Sequence, residues 1–317
     1  MTTILFSAPY MIPVLPRFRP LLESYGFQLI IPEVHERLGE AEILSYAGQF
    51  DGTICGDDQY TARVLEACSP VLKVISKWGT GIDSIDQKTA EKLGIQVCNT
   101  PNAFTLPVAD TVLGYMLTFA RHFPSMDRSV KSGQWNKIPG RSLSECTLGV
   151  VGVGKIGKAV LRRARAFGMK LLGNDIIPID PIFISKNGVE MTSLEELLAR
   201  SDFVSLNCDL NPTSYYLMSA TTLSLIKPSA FLINTSRGQV VDELALISVL
   251  QAGMLAGAAL DVFESEPLTF NSPLTKMDNV LLAPHNANSS PKAWERVHQN
   301  TINNLLIGLG ISINKDK

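Results

Sequence analysis

The sequence lacks cysteines at disulfide or metal-ligand spacing. Its five cysteines, Cys55, Cys68, Cys98, Cys146 and Cys208, are odd in number and scattered, with no C-x-x-C. Neither a disulfide framework nor a metal site is expected, and the thiols read as small buried hydrophobes of a reducing, cytoplasmic setting. Charge of one sign is lacking as well: 28 Lys and Arg stand against 30 Asp and Glu, a net of -2. That excludes a basic stripe for nucleic acid and a polybasic patch for a membrane surface. The longest apolar runs, Val112 to Ala120 and Leu305 to Ile313, fall short of the roughly 18 residues needed to span a bilayer. Met1 to Phe6 has no cationic leader and reads directly as a strand. Internal repeats and low-complexity segments are lacking too.

What is present begins with the run Leu148 to Val160, where an apolar strand breaks into Gly152-x-Gly154-x-x-Gly157 and continues as a helix-like segment. The first glycine of such a loop allows a tight turn, the second lets backbone approach a pyrophosphate, and the third lets helix pack on strand, with the helix N-terminus facing the anion. A second apolar stretch, Met169 to Gly173, ends in Asn174-Asp175, which puts an acid 21 residues after Gly154, near the spacing of a ribose-binding carboxylate. Gly152, Gly157 and Lys158 also fit most of a nucleoside-triphosphate loop, but Ala159 stands where that loop needs a hydroxyl for magnesium. The expected ligand is therefore a dinucleotide. Asp175 accepts hydrogen bonds from a ribose 2′-hydroxyl and repels a 2′-phosphate, and Ile176 to Pro178 add no positive charge, so NAD is expected over NADP. An ordinary solvated turn is the alternative reading of Asp175.

With 317 residues, 45% of them hydrophobic and 18% charged, the chain is long for one core and sufficient for two. Short apolar strands alternate with helix-like segments through the first third: Ile4 to Phe6, Phe27 to Ile31, Gly52 to Cys55, Leu72 to Ser76 and Ile95 to Cys98. Six more follow at Leu148 to Val151, Lys170 to Gly173, Phe203 to Leu206, Ala230 to Asn234, Gly257 to Leu260 and Val280 to Ala283. The expected class is α/β, with two Rossmann- or flavodoxin-like, doubly wound parallel-sheet domains. Ser193 to Glu196 reads as a capping box, and Asp242 opens a helix that Gly253 stops. Pro107 to Arg121 is expected to link the domains and to bury against a partner subunit. Pro291 to Leu309 reads as one more helix, too little for a domain, that packs back on the first. The division expected is residues 102–287 for cofactor and residues 1–101 with 288–317 for substrate.

Three predicted strand ends carry unusual polar residues: Asn234 to Gly238, Asp261 to Pro267 and Ala283 to Asn286. In an open α/β sheet the carboxyl ends of the strands face the ligand crevice. Arg237 suits a bidentate grip on a carboxylate, His285 can move a proton, and Glu266 can orient that imidazole and favour its protonated form. The bland readings are a surface Arg and a turn Glu before Pro267. Cys208 follows the strand ending at Leu206, at the cofactor face or as packing. His122 reads as a helix-end residue and His298 as a polar helix position.

In order along the chain, Ser76 to Asp83, Asn99 to Asn102, Gly152 to Gly157, Asn234 to Glu243, Gly257 to Phe263, Glu266-Pro267 and Pro284-His285 resemble the D-isomer-specific 2-hydroxyacid dehydrogenase family. Among its members the chain looks most like phosphoglycerate dehydrogenases without a regulatory domain. The resemblance implies that Arg237 binds the substrate carboxylate and carbonyl, His285 is the general acid/base and Glu266 its partner. It implies cofactor contacts from Thr80, Lys155, Ile156, Asp175, Thr235 with its neighbour Ser236, and Asp261. It implies a carboxylate site at the backbone of Trp78 and Gly79, a 2-hydroxy or 2-keto acid substrate, and a homodimer joined through the cofactor domain.

The chain departs from the family pattern at several places. Asn207 stands where His is common, Asp209 where Pro is, and Asn286 and Asn288 where a small apolar residue and Gly are. Lys77 replaces the usual Arg that meets the anionic end of a phosphorylated substrate, keeping the charge but losing the fork, and Trp78 is bulkier than its usual counterpart. Glyoxylate or hydroxypyruvate reduction, and a non-catalytic NAD(H) sensor of the same fold, therefore stand as alternative readings.

Overall fold

The computed structural model describes residues 1–312 and separates into two compact units, one of residues 1–103 and 290 onward, the other of residues 104–289. The boundaries expected from the sequence each fall two residues earlier, and residues 313–317 of that expectation lie outside the described residues.

The first unit alternates β1 (Thr3–Phe6), α1 (Leu15–Ser24), β2 (Gln28–Ile30), α2 (Glu40–Leu44), β3 (Gly52–Cys55), α3 (Ala62–Cys68), β4 (Val74–Lys77), α4 (Gln87–Lys92) and β5 (Gln96–Cys98). Its strands form one sheet in the order β2-β1-β3-β4-β5, every pairing parallel. All of β3 and β4 is buried, as expected of central strands covered on both faces. Side chains set the helix starts: Thr61 accepts from the Val64 N–H ahead of α3, and Asp86 from the Thr89 N–H ahead of α4.

The second unit carries α5 (Thr105–Arg121), α6 (Phe123–Lys131), β6 (Thr147–Val151), α7 (Lys155–Ala166), β7 (Lys170–Asn174), α8 (Pro181–Asn187), β8 (Val189–Met191), α9 (Leu194–Arg200), β9 (Phe203–Leu206), α10 (Ala220–Leu223), β10 (Phe231–Asn234), α11 (Glu243–Gln251), β11 (Gly257–Leu260) and β12 (Val280–Leu282). These seven strands run parallel in the order β12-β11-β10-β9-β6-β7-β8. The chain order reverses between β6 and β9, so the crevice outside their carboxyl ends is the ligand position of a doubly wound sheet.

Two expectations are corrected here. The sheet has seven strands and not six; β8 is only three residues long and opens straight from Gly188, whose φ is +65°, too short a stretch to show alternation. At α9, Ser193 caps the Glu196 N–H as expected, but the Glu196 carboxylate accepts from the Thr192 hydroxyl and does not close the box. The apolar stripe of α5, Ala109, Val112, Leu113 and Met116, is buried within its own unit in the core that also holds Val150, Val160 and Leu161. His122 ends that helix in the left-handed region, with φ +54°.

α12 (Pro291–Gly308) belongs again to the first unit and lies on β3, β4 and β5. A Cβ on Gly52 would stand 3.0 Å from Leu305 Cδ1, and the Ser76 hydroxyl donates to the Thr301 carbonyl at 2.7 Å. His298, expected at a polar position, is instead 4% exposed: it shares a helix face with Val297, Thr301 and Leu305, all buried. Among the described residues no helix is long and apolar enough to cross a membrane.

One acid lies inside the first unit, beside Ser7, Leu38 and Tyr60. Asp58 is fully buried, accepting from the Leu38 N–H at 2.8 Å and from the Ser7 hydroxyl. Burial outweighs both hydrogen bonds and pushes its carboxyl up to about 6. A carboxyl raised in the folded state favours folding fully below about pH 4 and loses that contribution as pH rises through its folded pKa, here worth about 3 kcal/mol. Urea unfolding between pH 4 and 7 should therefore show Asp58→Asn gaining stability relative to the parent as pH rises.

Candidate active site

The glycine loop leaves β6 at the reversal point. Gly152 has φ +87°, and a Cβ there would fall 2.6 Å from the Cys208 nitrogen, so the loop rests directly on the segment that follows β9. A Cβ on Gly157 would lie 2.1 Å from the Gly152 carbonyl oxygen, whereas one on Gly154 would meet nothing within 4 Å. Two glycines thus close the turn and the middle one faces open space. No side chain caps the N-terminus of α7, which leaves the first-turn N–H groups at Lys155 and Ile156 for an anion. Asp175, after β7, turns back to this loop: its Oδ2 accepts from the Val153 N–H at 2.6 Å and its Oδ1 from the Ile177 N–H at 2.9 Å. Each oxygen keeps a lone pair for a ribose hydroxyl.

The neighbouring strand ends carry two buried polar atoms without a partner among the described residues, Asn207 Oδ1 after β9 and Thr235 Oγ1 after β10. Register pairs Leu206 with Asn234, so these atoms follow one another across adjacent strands. The Asn207 amide nitrogen is used on Ser205, which leaves the oxygen as the orphaned acceptor. Orphaned polar groups in a native crevice call for a ligand that satisfies them, and with the open Gly154 face they fit a dinucleotide. Cys208 itself is half-buried, and burial raises its thiol to about 11, which suits packing beneath Gly152.

Beyond β10, the buried Asn234 side chain shapes the next turn. Its Oδ1 accepts from the Ser236 N–H and hydroxyl at 3.1 and 2.8 Å, and its Nδ2 donates to the Arg237 carbonyl at 2.9 Å. Arg237 Nη1 donates to the Ser236 carbonyl at 2.9 Å. This turn is locked to the segment after β11: a Cβ on Gly238 would lie 1.9 Å from the Phe263 carbonyl carbon, and Gln239 Nε2 donates to the Glu264 carbonyl at 2.9 Å. Glu264 and Glu243 complete the lock, each carboxylate accepting the other's backbone N–H, at 2.8 and 3.2 Å.

His285 follows β12 with φ +50°, a strained backbone for a residue with a Cβ. Three hydrogen bonds to Asp261 hold it there. The His285 N–H donates to the Asp261 carbonyl at 2.8 Å, and the Asp261 carboxylate accepts from the Asn286 and Ala287 N–H groups, both at 2.9 Å. Burial raises the Asp261 carboxyl above its ordinary range, with the two backbone donors opposing the rise. The resulting posture sets His285 Nδ1 2.9 Å from Glu266 Oε2, while Glu266 Oε1 accepts from the Phe263 N–H at 3.0 Å. With Nδ1 committed to the carboxylate, proton exchange with a substrate oxygen falls to Nε2. Asp261 was expected as a cofactor contact; its hold on the histidine loop is not visible in the sequence.

In the first unit, Lys77, Trp78, Gly79 and Thr80 occupy the turn after β4. Lys77 is 4% exposed, its ammonium 2.8 Å from Asp57 Oδ1 and 3.1 Å from the Trp78 carbonyl. The Trp78 N–H donates to the Cys55 carbonyl at 2.8 Å. Gly79 is buried with φ +116°; its carbonyl accepts from the Thr100 N–H at 2.8 Å, but its own N–H meets no acceptor among the described residues. The Thr80 hydroxyl donates to the Thr100 carbonyl at 3.0 Å. Sequence reasoning missed Asp57, whose neighbour Asp58 was the only hint of an acidic turn, and His298, whose spacing from Val297, Thr301 and Leu305 marks a buried helix face.

A doubly wound sheet with an open-faced glycine loop at its reversal point, and an imidazole paired to a carboxylate at a further strand end of the same sheet, defines a dinucleotide-dependent dehydrogenase. Residues 113–287 match the model of the D-isomer specific 2-hydroxyacid dehydrogenase NAD binding domain. The chain is 42% identical over 255 residues to a glyoxylate reductase of Korarchaeum cryptofilum, covering 78% of this chain and 76% of that protein. It is 37% identical over 288 residues to a D-3-phosphoglycerate dehydrogenase of Synechocystis, covering 87% of this chain and 50% of that one. Its fold is similar to that of a D-lactate dehydrogenase of Aquifex aeolicus complexed with NAD and lactic acid, with a TM-score of 0.85 and 28% identity over 98% of this chain and 96% of the other. The chain belongs to the D-isomer specific 2-hydroxyacid dehydrogenase family and is an NAD-dependent oxidoreductase acting on the CH–OH group of its donor.

Asp175→Ala should weaken NADH binding about tenfold, the loss of a charged hydrogen bond, and narrow the gap to NADPH. Fluorescence titration of both cofactors checks this; an unchanged preference would remove Asp175 from the ribose.

Proposed function

We propose that the chain reduces a small unphosphorylated 2-keto acid, of the glyoxylate and hydroxypyruvate type, to the 2-hydroxy acid with NADH. The observation that carries this reading is the pairing of the buried Lys77 with the part-exposed Asp57 at 2.8 Å. With the Trp78 carbonyl it uses two of the three ammonium donors, and Asp57 cancels the charge a phosphate dianion would need. The similarity to glyoxylate reductases supports the same choice. The phosphoglycerate dehydrogenase reading keeps its support in the Synechocystis relative and in the presence of a cation at position 77; it requires Lys77 to leave Asp57 for the substrate.

In this reading the bound nicotinamide supplies hydride to the carbonyl carbon. Arg237 holds the substrate carboxylate and carbonyl, the Gly79 N–H takes a carboxylate oxygen, and protonated His285 gives its Nε2 proton to the carbonyl oxygen while Glu266 steadies the imidazolium through Nδ1. Gly152, Gly154, Lys155, Ile156 and Gly157 take the pyrophosphate, with Thr80, Asp175, Cys208, Thr235, Ser236 and Asp261 around the rest of the cofactor. The first unit serves the substrate and the second the cofactor. A homodimer formed through the second unit is supported by α6, none of whose residues is buried, and by Phe123, Val130 and Trp135 at 51, 51 and 84% exposure. Cysteine usage supports a cytoplasmic setting.

The test is initial-rate oxidation of NADH against glyoxylate, pyruvate, hydroxypyruvate and 3-phosphohydroxypyruvate. An unphosphorylated acid should give the highest kcat/KM; a strong preference for the phosphorylated one would replace this reading with phosphoglycerate dehydrogenase. His285→Ala should lower kcat by about 10²- to 10⁴-fold, the usual worth of general acid–base catalysis, with NADH affinity nearly unchanged. Equal loss of both would make His285 structural.

A further inference from the structure

Trp78 is tied to α12 in a way the catalytic roles above do not use. Ser76 on β4 and Trp78 in the bend just past its end present one face toward α12. On α12, His298 and Thr301 are three residues apart and also share a face. The two faces meet at two hydrogen bonds: Ser76 Oγ to the Thr301 carbonyl at 2.7 Å, and Trp78 Nε1 to His298 Nδ1 at 3.0 Å. The Trp78 indole is held on its other sides by Tyr10, stacked at 5.0 Å, and by the edge of Trp294 at 5.7 Å. Trp78 and His298 are each 4% exposed. An Nδ1 that accepts from an indole N–H carries no proton, so this imidazole is neutral with its hydrogen on Nε2; burial lowers its pKa in the same sense.

We infer that His298 is a positioning residue for the reaction: by holding the Trp78 indole it fixes the turn that aims the Gly79 N–H. Gly79 follows Trp78 directly, is buried, and stands at φ +116° with its N–H unused among the described residues. Backbone bonds pin the turn at the Trp78 N–H and the Gly79 carbonyl, and the intervening peptide that carries the Gly79 N–H is steered through the indole. This inference rests on the reading that the substrate carboxylate binds at Gly79, and deepens it by naming the side chain that sets the donor.

Steady-state kinetics of His298→Leu and His298→Asn test it, with indole fluorescence as a structural check and NADH affinity measured separately. Leu removes the acceptor and should raise KM for the 2-keto acid about tenfold, with kcat within about twofold and NADH binding unchanged, the pattern of lost ground-state binding. Asn places an amide oxygen near the Nδ1 position and should restore KM. An unchanged KM in the Leu variant, or a raised one that Asn does not rescue, overturns the assignment. Should the Leu variant fail to fold, Trp78→Phe removes the N–H while keeping a stacked ring, and must raise KM in the same way. The underlying reading is tested apart, in the unaltered protein labelled with ¹⁵N-glycine: oxamate added to the NADH complex should shift the Gly79 amide. A Gly79 signal that stays still refutes the carboxylate site itself; one that moves while His298→Leu keeps its KM refutes only the role of His298.

Discussion

The Asp261 carboxylate, closed on the Asn286 and Ala287 N–H groups, is the contact on which the catalytic unit depends. It sits at the end of β11 and seizes the loop leaving β12, so two adjacent parallel strands deliver their termini as one piece. The left-handed backbone of His285 is tolerated because three hydrogen bonds over-determine it, as expected where strain is stored at a functional position. In that posture Nδ1 reaches Glu266. A buried carboxylate is costly in itself, and here two backbone donors, groups that would otherwise want water, offset that cost.

The same economy of backbone contact appears at the two glycine positions that matter most. Gly238 lets the Arg237 turn touch the Phe263 peptide, and Gly157 lets α7 touch Gly152. A methyl group at either place would collide with main chain, which has no rotamer to yield. Arg237 is therefore referenced to Glu266 through backbone, and the anion-facing helix terminus to the sheet. Positional precision of this kind is what proton and hydride transfer require, since small misplacements are expensive in rate.

Much of this was legible in the sequence because it is local. Gly152, Gly154 and Gly157 with Asp175 spell out one strand–turn–helix–strand unit, and the strand runs around Leu148, Phe203 and Gly257 are short, apolar and evenly spaced. Arg237, Glu266 and His285 could be picked out as polar groups at strand ends. What was hidden is what depends on contacts between distant segments: Asp261 closing on Asn286, Asp57 neutralising Lys77, and His298 accepting from Trp78 across 220 positions. β8 was missed for the opposite reason, since three residues are too few to display a period. His298 was misread because a histidine in a helix was taken for a surface group, although its neighbours Val297, Thr301 and Leu305 already describe an inward face.

The return of α12 to the first unit has a consequence for the order in which the protein is made. Ribosomal synthesis delivers residues 104–289 complete before Ser290 appears, so the second unit has its whole sheet in hand while the first still lacks the helix that covers β3, β4 and β5. Until Thr301 and Leu305 emerge, Ser76 has no carbonyl to donate to and the space above Gly52 is open to water. The first unit is thus completed only after the second, and its early strands must wait, uncovered by α12, through the synthesis of an entire second fold.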